Sequence, residues 1–275
     1  MALVSTMLFS SLGLGEAMER IAECGFRWVE VSHVHLERLR SDEAKELGTL
    51  VKSVIERFNI KTPVAHLPAD RSATIVEGVG GWRKCLARLL PFIEALSGAG
   101  VEVFVIHTLL PKLVPRVGSA ELARVGFEET RALLEELDRV AKGIGVRVAV
   151  ENRVERYAFG STAEDLLRVC EGLDSVGVCV DVGHANAAGM DPVEFVKACR
   201  DRTLVYHLHD NDGSRDQHLP PLLGAVPWDE VVKSLNGSAH RVLEVSCSSR
   251  EEVCRSYARY LSIVIEVMNL QRAEA

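Results

Sequence analysis

The sequence predicts a closed (β/α)8 barrel, and three observations predict it. Short apolar runs alternate with amphipathic segments along the 275 residues, giving eight strand–helix pairs. The runs are nearly continuous in Val, Ile and Leu, the composition of strands buried on both faces and so of a parallel sheet. The length suits one barrel, for which roughly 250 residues is typical. The competing arrangement is a doubly wound open sheet, which usually carries a Gly-rich first turn. Here SSLGLGEA supplies Gly13 and Gly15 but no full GxGxxG. No linker or low-complexity stretch breaks the alternation, so residues 1–275 are expected to form one barrel domain.

In chain order, strands are expected at 3–8, 28–31, 62–66, 101–107, 147–151, 176–181, 203–209 and 241–245. Helices are expected at 15–24, 42–58, 81–99, about 120–143, 162–173, 192–199, 228–235 and 250–270. Gly25 and Gly100 stand where helices stop, because glycine takes up the left-handed C′ conformation without steric cost. Pro192 and the Pro227-Trp228 step mark helix starts, where a backbone N–H is not needed. Trp28, Trp82 and Trp228 read as core, and Glu135-Glu136 and Glu251-Glu252 as solvated helix faces.

Composition narrows the function. Apolar residues make up 47% of the chain, enough for a large core, and charged residues an ordinary 26%. A net charge of −7 argues against broad nucleic-acid binding, which needs a cationic field. No apolar run approaches the roughly 18 residues of a membrane span. The first residues lack the basic start of a secretion signal, so a cytoplasmic location is expected. Seven cysteines, an odd number without a CxxC, are read as small buried hydrophobes in a reducing compartment.

The chemistry stands at the strand ends. Glu30 and His33 close the second strand, His66 the third, His107 the fourth and Glu151 the fifth. Asp181 closes the sixth, with His184 in the next turn. His207 lies in the seventh, with Asp216 and His218 in its loop, and Glu244 lies in the eighth. A lone histidine after a strand is more often a hydrogen-bonded structural residue than a ligand. Seven consecutive strands ending this way do not fit that reading, because barrel strand ends converge on one small volume. Carboxylates gathered there repel one another unless a cation lies between them. Imidazole nitrogen and carboxylate oxygen together suit Zn²⁺, Mn²⁺ or Co²⁺. His33 and His35 are near enough in sequence to reach the same volume, while His240 precedes the eighth strand at the opposite rim.

The set ENR, DVGH, HLHD, DQH and LEVS resembles the xylose isomerase-like TIM barrel superfamily, which includes sugar isomerases and epimerases and the endonuclease IV family. The opening, VSTMLFSS…EAMERIAECGFRWVEVS, resembles the sugar phosphate isomerase/epimerase branch. The resemblance implies a divalent metal (Mn²⁺, Zn²⁺, Co²⁺ or Mg²⁺) held by Glu151, Asp181, His207 and Glu244, and no nucleotide cofactor. It implies isomerase or epimerase chemistry on a sugar or sugar phosphate through a metal-stabilised enediolate. Glu151 and Glu244 would move the proton, and His184 would bind or polarise a substrate oxygen. Glu30 belongs with this branch, where a carboxylate at that place is common, and is taken as a substrate contact. Arg153 and Arg215 are candidates for a distal hydroxyl or phosphate, or else ordinary surface arginines.

Endonuclease IV proteins hold three zinc ions, and the further residues that the resemblance matches are His66, His107, His184, Asp216 and His218. Incision of abasic DNA is therefore the alternative reading, and a non-catalytic sugar-binding barrel a third. No basic, aromatic-interleaved loop for gripping DNA is found, and the acidic chain weighs against it. One departure concerns the loop after the seventh strand. The family often has Gly-Glu-Gly there, whereas this chain has Leu223-Gly224-Ala225-Val226. The expected partner is a small carbohydrate, without nucleic acid or membrane; a homo-oligomer is compatible with the sequence.

Overall fold

The computed structural model describes residues 2–112 and 118–270. Eight parallel strands close on themselves: β1 Ala2–Ser5, β2 Trp28–Val31, β3 Lys61–His66, β4 Val103–His107, β5 Arg147–Glu151, β6 Val176–Asp181, β7 Thr203–Leu208 and β8 His240–Leu243. Each pairs with the next in chain order, and β8 pairs with β1 to complete the barrel. The helices that follow the strands around the outside are α1 Leu14–Glu23, α2 Ala44–Phe58, α3 Trp82–Ser97, α4 Ser119–Ile144, α5 Ala163–Val169, α6 Pro192–Cys199, α7 Trp228–Ser234 and α8 Glu251–Val267, and shorter helices include His33–Leu36, Arg71–Thr74 and Val182–Ala187. This is the (β/α)8 TIM barrel that the alternation predicts. Gly25 and Gly100 adopt left-handed φ values of 97° and 95° just beyond α1 and α3, Gly25 at C′ and Gly100 one position further on. Among the described residues no helix is long and apolar enough to cross a membrane.

The strands carry two apolar layers because side chains alternate along them. Val4, Ala65, Phe104, Val150, Val180, Tyr206 and Leu243 point outward to the helices. Leu3, Val64, Val105, Ala149, Cys179, Val205 and Val242 fill the barrel's interior. Two residues beyond each inward residue, the next side chain faces inward again. That rule takes Val64 to His66, Val105 to His107, Ala149 to Glu151, Cys179 to Asp181, Val205 to His207 and Val242 to Glu244. The interior packing and the chemistry at the rim therefore share one register.

Three differences from the sequence expectations have physical reasons. The first strand ends at Ser5 rather than at Leu8, and Thr6–Phe9 is a 3₁₀ turn whose four side chains are buried. The Ser5 hydroxyl accepts the Met7 N–H at 3.4 Å to start that turn. Apolarity alone does not separate a buried turn from a strand. The eighth strand stops at Leu243, so Glu244 stands just past its end. Cys247 and Cys254 are joined in a disulfide, contrary to the reading of all seven cysteines as separate thiols. The chain turns back after β8 and enters α8, which brings their Cα atoms to 5.6 Å. Cys85, Cys170, Cys179 and Cys199 are free and buried, and Cys24 is half-buried.

Trp228 is buried as expected of a core residue, while Trp28 and Trp82 pack partly buried against the apolar layers. Gly48 marks a tight helix contact. A Cβ there would lie 2.6 Å from the Ala95 carbonyl oxygen of α3, and backbone cannot yield as a flexible side chain can. Gly48→Ala is expected to cost about 1–3 kcal/mol, the scale of overpacking. A denaturant midpoint equal to that of the wild type would show that the two helices do not meet so closely.

Candidate metal centre

The centre is assembled from all the strand ends between β2 and β8. Glu151, Asp181, His207 and Glu244 each bring a donor atom within 4.8 Å of the others, and all four are buried. His207 Nδ1 is the hub, at 2.6 Å from Glu151 Oε1, 3.3 Å from Glu244 Oε2 and 3.9 Å from Asp181 Oδ2. Its other nitrogen, Nε2, lies 2.9 Å from Glu30 Oε1. A carboxylate behind a histidine fixes the ring and leaves the opposite nitrogen for a ligand. Glu30 therefore stands fully buried behind His207, and its contact is with that ring.

A second group flanks the first on the β3–β4 side. His66 Nε2 and His107 Nε2 approach Glu151 Oε2 at 3.0 and 2.8 Å and each other at 3.2 Å. A third group lies on the β6–β7 side, where Asp216 Oδ2 meets His184 Nε2 at 3.2 Å and His218 Nε2 at 3.1 Å. The three rings that face carboxylates through Nε2 with a carbonyl behind them follow one rule. His66 Nδ1 donates to Leu67 O at 2.8 Å, His184 Nδ1 to Asn152 O at 2.9 Å and His218 Nδ1 to Glu244 O at 2.9 Å. Each backbone carbonyl sets the tautomer that leaves Nε2 to the carboxylate. Asp181 also caps the short helix Val182–Ala187, accepting the His184 N–H at 2.7 Å, and so places His184. His218 has a φ of 46°, a left-handed conformation that a non-glycine residue holds at a cost.

The charges are strongly coupled. Burial favours neutral carboxyls, yet the imidazoles of His207, His107 and His66 hold Glu151 well below its usual range. Burial raises Glu244, and His207 and His218 do not offset it against Glu30 and Glu151. Burial favours a neutral His184 ring, but Asp181 and Asp216 outweigh it and raise it well above its usual value. His218 is raised to about 9, with Asp216 and Glu244 overcoming burial. His107 falls to about 4, chiefly through burial, against the pull of Glu151.

One residue belongs to this centre that the sequence analysis did not single out, His209. His209 is fully buried, and its Nε2 lies 2.9 Å from Asp181 Oδ1 while its ring stacks 3.9 Å from that of His218. The ring rests on bare backbone, since a Cβ on Gly183 would come within 2.0 Å of it. The spacing His207-Leu-His209 carried that signal, because positions i and i+2 share a face. His33 reaches the centre, with its ring 4.5 Å from that of His66; His35 does not, and bonds the Thr6 carbonyl at 3.1 Å. Arg153 is buried against His107, with Nη1 3.3 Å from His107 Nδ1 and 3.0 Å from Thr108 O, and it pairs with Glu155. Arg215 is exposed on the loop after β7, outside the cluster.

That loop is fastened from below despite its departure from Gly-Glu-Gly. Asp210 accepts the Trp228 indole N–H at 2.7 Å and the Val226 N–H at 3.1 Å. A Cβ on Gly224 would lie 2.3 Å from Asp210 Oδ1, so glycine is needed at this one position of the stretch.

The model of the xylose isomerase-like TIM barrel family matches residues 18–262. The chain belongs to the xylose isomerase-like TIM barrel family. The chain is 28% identical to the uncharacterized protein MJ1311 of Methanocaldococcus jannaschii over 98% of its own length and 91% of that protein. It is 30% identical to a probable endonuclease 4 of Methanoculleus marisnigri over 54% of this chain and 60% of that one. The crystal structure of a D-tagatose 3-epimerase-like protein superposes with a TM-score of 0.76 at 23% identity, covering 98% of both chains.

The raised imidazoles give a testable consequence. A histidine ligand must be neutral, whereas the surrounding acidic groups raise the rings of His207, His184 and His218 above their usual values. Uptake of Zn²⁺ is expected to release protons, and apparent affinity to rise with pH as these raised rings lose their protons. Titration calorimetry in buffers of different ionisation heat reads the release; a binding heat independent of buffer would contradict it.

Proposed function

We propose that this barrel is a divalent-metal-dependent isomerase or epimerase acting on a carbohydrate with a carbonyl next to a hydroxyl-bearing carbon. The observation that carries the reading is the pair Glu151 and Glu244, both close to His207 Nδ1 at 2.6 and 3.3 Å. The donor set fits a metal. Buried atoms of Glu30, His33, His209, Asp216 and Glu244 have no hydrogen-bond partner, an arrangement that is costly unless a cation supplies one. Glu151, Asp181, His207 and Glu244 would hold the ion, of which Zn²⁺, Mn²⁺, Co²⁺ and Mg²⁺ all accept such donors. A bound divalent ion supplies Lewis acidity toward the oxygen on which negative charge develops.

The protein's own groups then divide the proton work. Glu151 and Glu244 bring donor atoms close enough to one site to share that work, one removing the proton next to the carbonyl and the other returning it to the other face or the neighbouring carbon. His184, at 6% exposure, offers its ring to a substrate oxygen. Arg153 acts through His107, which it touches, and Arg215 is free to meet a distal hydroxyl or phosphate. The similarity to the D-tagatose 3-epimerase-like structure supports a carbohydrate substrate.

Glu151→Gln and Glu244→Gln are each expected to lower kcat about 10²- to 10⁴-fold, the usual worth of a positioned acid or base. The assay is a panel of keto- and aldo-sugars with Mn²⁺, Co²⁺ or Mg²⁺, read by product and by deuterium uptake from solvent at the reacting carbon. Wild-type turnover by either variant overturns the proton assignment, and product without deuterium uptake overturns the proton-transfer route.

A second reading is phosphodiester hydrolysis at abasic DNA. It is favoured by the two flanking groups, His66–His107–Glu151 and His184–Asp216–His218, and by similarity to the probable endonuclease 4. The net charge of −7 weighs against a polyanionic substrate. Zinc-loaded protein is expected not to nick an abasic duplex at moderate salt. Incision that is lost in Asp216→Asn would establish this reading instead.

A further inference from the structure

His33 opens the short helix His33–Leu36 beyond β2, and the proton chemistry proposed above does not use it. Its Nδ1 is buried and has no hydrogen-bond partner, and the same is true of Glu244 Oε1, 4.0 Å away. A hydrogen bond does not span that distance. The other oxygen of Glu244, Oε2, faces His207 Nδ1 at 3.3 Å, so the carboxylate is shared between two sets of donors. His66 completes the second set. His33, His66 and Glu244 each bring one donor atom within 4.8 Å of the others. Two donors about 2.1 Å from one ion are at most about 4.2 Å apart. At 4.0 Å, His33 Nδ1 and Glu244 Oε1 lie within that reach.

We infer that His33, His66 and Glu244 form a second divalent-cation position, joined through the Glu244 carboxylate to the position made by Glu151, Asp181, His207 and Glu244. The inference rests on reading that neighbouring position as a metal site. Two imidazoles and one carboxylate suit Zn²⁺, Co²⁺ or Mn²⁺ and leave coordination places open to substrate. Ions sharing a carboxylate stand about 3.5–4 Å apart, the spacing at which two cations clamp one oxygenated substrate. His107 belongs to a different trio: it faces Glu151 Oε2 at 2.8 Å and not Glu244.

The test strips the wild-type chain, His33→Ala and His107→Ala of metal and equilibrates each with Mn²⁺. Bound Mn²⁺ per folded chain is measured, and electron paramagnetic resonance reports whether neighbouring ions couple. The wild type is expected to hold one more ion than His33→Ala. Its spin-coupled signal should weaken in His33→Ala and persist in His107→Ala. Should His33→Ala fail to fold, His33→Asn takes its place, and a wild-type spectrum without coupling by itself overturns the inference. Equal Mn²⁺ content in wild type and the His33 variant also overturns it. So does loss of the ion in His107→Ala alone, which would place it among His66, His107 and Glu151. One ion in wild type and variant alike removes only the second position; no bound ion in the wild type removes the function proposed above as well.

Discussion

Buried negative charge is the constraint to which the rest of this barrel answers. Glu30, Glu151, Asp181 and Glu244 are almost wholly out of water, and Asp216 lies at their edge. Ionised carboxylates so close together are costly unless imidazolium or metal charge lies among them. The chain surrounds them with His33, His66, His107, His184, His207, His209 and His218. The rings are in turn held by carbonyls and by Glu30. Glu30 Oε2, His33 Nδ1, His209 Nδ1, Asp216 Oδ1 and Glu244 Oε1 of this group are buried without a hydrogen-bond partner. A polar network this deep is stable only when its members are satisfied together.

The barrel delivers these groups by parity. One inward layer of Leu3, Val64, Val105, Ala149, Cys179, Val205 and Val242 packs the interior. The next inward position on each strand lies at the C-terminal rim, so one register serves packing and chemistry. A slip of one residue in any strand would turn its rim group outward toward the helices and an apolar side chain into the mouth. The close approaches follow from the same crowding. Gly183 leaves room for the His209 ring, and Gly224 for the Asp210 carboxylate that receives Trp228.

Much of this was legible along the chain. Eight apolar runs, seven of them closed by an acid or an imidazole, predicted both the closed sheet and the rim that carries the site, because strand burial and side-chain alternation are properties of local sequence. Misplaced boundaries had local causes of another kind. Thr6–Phe9 is as apolar as a strand yet forms a turn capped by Ser5, and Leu243 ends β8 one residue before Glu244. The Cys247–Cys254 bridge depends on how the chain turns back into α8, which spacing does not record.

The sequence by itself determined the fold class and the inventory of rim residues, since periodicity and strand ends are written in consecutive positions. Only the tertiary structure decided what each residue faces. Glu30 turned out to stand behind His207, Arg153 against His107, and Arg215 out on its loop. His33 and His209 joined the centre on distances set by neighbouring strands rather than by their own segments. The physical reason is that hydrogen bonds and coordination act over about 2–3 Å, and separations that small between residues remote in sequence are fixed only when the barrel closes.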